Sequence, residues 1–66
     1  MSLFAQLLER LPDEERTILN LVYLQGRSVA EIASLLGVPE RAVAVVLERG
    51  RARIATLISQ AGEGAR

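Results

Sequence analysis

The sequence contains no cysteine, no histidine, no tryptophan and no lysine, and its only aromatic residues are Phe4 and Tyr23. Each absence removes a class of chemistry. Without cysteine there is no disulfide frame and no thiolate nucleophile. Without histidine there is neither an imidazole base nor a zinc site of the usual ligands. No cofactor and no metal are expected, and an enzyme is the least expected class. The acidic run Asp13, Glu14 and Glu15 reads as the start of a helix, and Ser28 as a cap, rather than as catalytic groups.

Long hydrophobic runs are also missing. The longest, Ala42 to Leu47, is far short of the roughly 20 residues that span a bilayer. The N-terminus carries no charged start, apolar core and cleavage site in succession. The expectation is a soluble, cytoplasmic protein with no membrane contact.

An excess of one charge is missing too, since 8 basic residues meet 8 acidic ones and the pI is near 6.2. A dedicated nucleic-acid binder usually has a basic excess. The balance is uneven along the chain, however. Every cation is arginine, and Arg41, Arg49, Arg51 and Arg53 fall in one stretch.

What is present points to helices. Half of the 66 residues are hydrophobic and 3% aromatic, which suits Leu, Val and Ala helices better than strands built on aromatic pairs. A chain this short forms one domain and buries only about 60% of the surface its unfolded form exposes, so a stabilising partner or self-association is one expectation. We expect an all-α domain of four helices over about residues 2–10, 12–25, 29–36 and 39–60, with a frayed tail over 61–66.

Local signals support these elements. Ser2 can cap a first helix carrying Leu3, Phe4, Leu7, Leu8 and Leu11 at helical spacing. Pro12 and the acids after it suit the positive end of a second helix, with Ile18, Leu19, Leu21, Val22 and Leu24 apolar and Gly26 as its stop. Ser28 and Glu31 make a capping box for a third helix whose core face is Val29, Ile32, Ala33, Leu35 and Leu36. Gly37 ends it and Pro39 opens the fourth, so the third and fourth helices read as a helix-turn-helix. On the fourth, Val43, Leu47, Gly50, Ile54, Leu57, Ile58 and Ala61 form the core stripe. Arg41, Ala44, Val45, Glu48, Arg49 and Ala52 point away from it. Tyr23 reads as a packing residue with its hydroxyl at the edge.

The stretch LPDEERTILNLVYLQGRSVAEIASLLGVPERAVAVVLERGRARI resembles region 4 of the sigma-70-type RNA polymerase sigma factors, in particular the extracytoplasmic-function group. The resemblance rests on Leu11-Pro12, Arg16, Tyr23, Gly26, Ser28, Glu31-Ile32-Ala33, Leu36-Gly37-Val38-Pro39, Val43, Leu47 and Arg49 to Arg51, and covers Leu11 to about Leu57. It implies a role in transcription initiation or its regulation. The implied partners are the upstream (minus-35) promoter DNA, met through the last helix, RNA polymerase, and an anti-sigma-like regulator. Base and phosphate contacts would fall on Ala44, Val45, Glu48 and Arg49, with Arg41 at the helix start. The sequence departs from the family pattern at that point. Family members commonly carry a cation, a small polar residue and often another arginine after the valine that matches Val43, where this chain has Ala44, Val45 and Val46.

Three readings follow. In the first, the domain binds DNA, with Arg41, Arg49, Arg51 and Arg53 on phosphates and Glu48 and Val45 on bases. In the second, the face of Ala44, Val45, Glu48 and Ala52 has become a protein interface for a homodimer or another partner. In the third, the chain is a piece of a longer sigma factor or response regulator.

Overall fold

The computed structural model describes the backbone of residues 2–64 and the side chains of residues 2–60. Helix α1 spans Leu3–Leu8, with the Ser2 hydroxyl accepting from the Ala5 N–H. Helix α2 spans Asp13–Leu19 and opens on Asp13, Glu14 and Glu15. Their charge lies at the positive end of the helix dipole. The fold is all-helical with no strand among the described residues, as expected.

The second helix departs from expectation halfway along. Asn20–Leu24 is a π-helical segment, in which the Gln25 N–H reaches back five residues to the Asn20 carbonyl. In this register Tyr23 meets Phe4 edge-on, with ring centroids 5.6 Å apart. Tyr23 is therefore a packing residue on one side, yet 46% of it stays exposed. Gly26 ends the segment at φ +69°, a left-handed conformation that favours glycine.

Helix α3, Val29–Leu36, starts with the capping box. Glu31 N–H donates to the Ser28 hydroxyl at 3.1 Å, and Ser28 N–H donates to the Glu31 carboxylate at 2.9 Å. That backbone donor, helped by the Ser28 hydroxyl and by Arg27, lowers the pKa of Glu31 below its ordinary 4.5. A group with a depressed folded pKa stabilises the fold above its unfolded value and loses that contribution as the pH falls through the folded one. Glu31→Gln should therefore melt below the parent at neutral pH, and the two melting curves should converge as the pH falls through the lowered pKa of Glu31. A constant gap across that range would remove the charge of Glu31 from the explanation.

Gly37, at φ +67°, closes α3, and both Gly37 and Val38 N–H groups reach the Ala33 carbonyl. Helix α4 then runs from Glu40 to Gly64. At about 1.5 Å per residue it is roughly 37 Å long, nearly the 44 Å long axis of the molecule. The backbone remains helical past Ala61, where a frayed tail was expected. The Ala61 side chain and residues 65–66 lie outside the described residues.

Two apolar clusters hold the helices together. Leu7, Leu8, Leu11, Leu19 and Ile54 form one, and Ile18, Ile32, Ala33, Val43 and Val46 the other. Leu47 packs against both. The neighbours Ile18 and Leu19 enter different clusters, so α2 is buried on two sides. At Gly50 α4 passes so close to α2 that an added Cβ would collide with the Leu19 side chain.

Several expected core residues are not buried. Leu35 and Leu36 are 59% and 48% exposed. Leu35 lies about 60° around the helix from Ile32 and about 160° from Ala33, outside the arc between them. Leu36 is on their stripe but at its very end, where the chain turns away. Leu24 and Ile58 are also half exposed. Ile58 lies at the edge of the core stripe of α4, where it lines an open groove with Phe4 and Tyr23.

Candidate nucleic-acid interface

The outer face of α4 carries Arg41, Ala44, Val45, Glu48, Arg49 and Ala52, all exposed. Val43 and Val46 are buried while Ala42, Ala44 and Val45 are exposed, which explains why an apolar run interrupts this helix: some of its members serve the core and the others the surface. The turn Gly37 to Pro39 sets the angle of α4 against α3, and the packing of Val43 on Ile32 and Ala33 fixes its rotation.

The four arginines of this region separate into two kinds. Arg53 is turned toward α2, where its Nε donates to Glu15 Oε1 at 2.7 Å and its terminal nitrogen to Oε2 at 3.3 Å. Glu15 is a buried charge, only 6% exposed. The hydrogen bond to the Glu15 carboxylate, with its charge, raises the pKa of Arg53 above its ordinary value. Arg51 reaches Glu48 on its own helix, 3.7 Å away. Arg41 and Arg49 make no ion pair among the described residues. They flank Val45 across a shallow groove that also includes Glu14, Pro39, Ala42 and Val46.

Of the residues expected to touch phosphate, the structure thus brings Arg41 and Arg49 together as free cations, about 12 Å apart along the helix. It engages Arg51 with Glu48 and Arg53 with Glu15. The Glu15–Arg53 bridge spans 38 positions in sequence, and no local pattern announces it.

The two pairs should behave differently on mutation. Removing one partner of a buried pair leaves an uncompensated charge, whereas an exposed pair adds little. Arg53→Met should therefore lower the thermal midpoint by several degrees, while Arg51→Met leaves it nearly unchanged. Equal shifts in a melting experiment would contradict this assignment.

The alternative of an apolar face on α4 finds no support in the geometry. Val45 is 44% exposed, but Arg41, Glu48 and Arg49 surround it, and Ala44 and Ala52 add little surface. Exposed apolar residues that stand singly are ordinary on a soluble surface. The apolar groove in this molecule lies elsewhere, lined by Phe4, Leu19, Tyr23, Ile54, Ala55 and Ile58 with Arg51 at its rim. Among the described residues, no group of three or more His, Cys, Asp or Glu side chains could hold a metal ion, and no helix is long and apolar enough to cross a membrane.

Comparison with known proteins adds a family to this geometry. The family model described as "Sigma-70, region 4" matches residues 1–54. Two curated relatives, the "ECF RNA polymerase sigma factor SigM" of Mycobacterium tuberculosis strains Erdman and H37Rv, are each 42% identical over 57 residues. The match covers 86% of this chain and 29% of each relative. No solved structure matches significantly.

Proposed function

This chain belongs to the sigma-70 region 4 family, and on that footing we propose that it acts in transcription initiation by laying the first half of α4 against promoter DNA. The observation that carries this reading is the pair of unpaired, exposed arginines, Arg41 and Arg49, on the outer face of the second helix of a helix-turn-helix. Guanidinium groups suit phosphate because their donors match its oxygens in pairs. The small residues Ala44 and Ala52 let the helix axis approach the groove floor.

The partner is the upstream promoter element, in the sense that the family implies. RNA polymerase is the second partner, and the apolar groove of Phe4, Tyr23, Ile54 and Ile58 is the surface open to it, since it lies around α4 from the DNA-facing side. The reading is that of a binding module, with no catalytic step of its own.

Binding of the purified chain to a short duplex pool, followed across salt concentration, tests this function. Neutralising two phosphates gives a slope of log affinity on log salt of about −2. No retention of duplex even at low salt would overturn it.

A further inference from the structure

Glu48 is at first sight misplaced on a surface that meets a polyanion. Its side chain is 78% exposed, and no fold contact explains it beyond the pairing with Arg51 at 3.7 Å. Val45, one turn earlier and also on the outer face, is 44% exposed and flanked by the two free arginines. With Arg41 and Arg49 given to phosphate, these two side chains occupy the middle of the helix face. Besides the three arginines, their neighbours on that face are Ala44 and Ala52.

We infer that α4 reads its duplex through a carboxylate and a methyl surface, Glu48 accepting from the exocyclic amino group of a cytosine and Val45 packing on the methyl of a nearby thymine. The inference deepens the proposed DNA contact and rests on it.

The chemistry follows from what each group can do. A carboxylate only accepts hydrogen bonds. In the major groove guanine presents acceptors alone, adenine sets an acceptor beside its amino group, and thymine offers a carbonyl and a methyl. Cytosine alone presents a donor without an adjacent acceptor, so it suits Glu48 best. Arg51 lowers the penalty of bringing that carboxylate to the phosphates, because its cation travels with Glu48 on the next turn of the same helix. Valine has no donor or acceptor and discriminates only by burying a methyl group. The residues at 45 and 48 are separated by about 4.5 Å along the axis, which places their contacts on neighbouring base pairs.

The experiment is selection of bound duplexes from a randomised pool by the full chain, by Glu48→Gln and by Val45→Ala. The parent should enrich cytosine and thymine at neighbouring positions. Glu48→Gln should move the first preference from cytosine to adenine, about tenfold, because an amide pairs with both groups on the adenine edge. Replacing the selected thymine by deoxyuridine should weaken the parent a fewfold and leave Val45→Ala unaffected. Salt-dependent binding with no base preference, or identical selections by the parent and Glu48→Gln, would overturn the inference while leaving the DNA contact in place. Absence of any binding would overturn both.

Discussion

Replacing Ile32 with alanine should lower the unfolding free energy by about 3–4 kcal/mol, enough to leave a large fraction of the chain unfolded at 37 °C. Ile32 has no exposed surface and packs with Ile18, Ala33, Val43 and Val46. The truncation removes three carbons from a site with elements on every side, so the cavity cannot collapse fully. For a chain of 66 residues the total stability is on the order of 3–10 kcal/mol. The loss is therefore a large part of the whole. Leu35→Ala, on the same helix, should change stability by less than about 0.5 kcal/mol, because Leu35 is 59% exposed. Urea titration followed by circular dichroism distinguishes the two. Comparable losses at both positions would mean that α3 sits in a different rotation from the one described.

The second large effect concerns DNA. The double substitution Arg41→Ala, Arg49→Ala should reduce the salt dependence of duplex binding by about two ions, since each arginine on a phosphate contributes close to one. At low salt the affinity should fall on the order of tenfold to a hundredfold, uniformly across sequences. Neither arginine makes an ion pair among the described residues, so the melting temperature should hardly move. Arg53→Met should give the opposite pattern, a lower midpoint with an unchanged salt slope in the folded protein. Its guanidinium is engaged by Glu15 in the fold. A slope that drops equally in both variants would return Arg53 to the phosphate contacts.

These two predictions separate what holds the domain together from what it offers outside. The same helix does both jobs along its length. Val43, Val46 and Ile54 are buried in the clusters, while Arg41, Val45, Glu48 and Arg49 face outward. A substitution in α4 should therefore be interpreted only after its position around the axis is known.

Much of this was legible in the chain itself. The capping box at Ser28 and Glu31, the left-handed Gly26 and Gly37, the acidic start of α2 and the helix-turn-helix frame all follow from residue types at short spacing. Their physics is local: a side-chain oxygen within reach of the next turn, or a glycine where a Cβ is strained. The outward placement of Ala44 and Val45 followed from the 100° turn per residue. The family followed from the motif residues taken together.

What the chain could not disclose depended on distant partners. The π-helical segment at Asn20–Leu24, which carries Tyr23 against Phe4, has no signal in its own residue types. Apolar spacing gave Leu35, Leu36 and Ile58 the same standing as Ile32 and Ile54, yet exposure depends on whether another element reaches that point on the helix. Local charge spacing likewise could not rank the four arginines of α4. Arg53 differs from Arg41 and Arg49 only because folding brings a buried carboxylate from the first turn of α2 against it. Local backbone chemistry thus determined the elements and the face that each presents. Tertiary packing decided which apolar residues found cover and which cations remained free to meet a ligand, because both depend on groups that only the fold brings together.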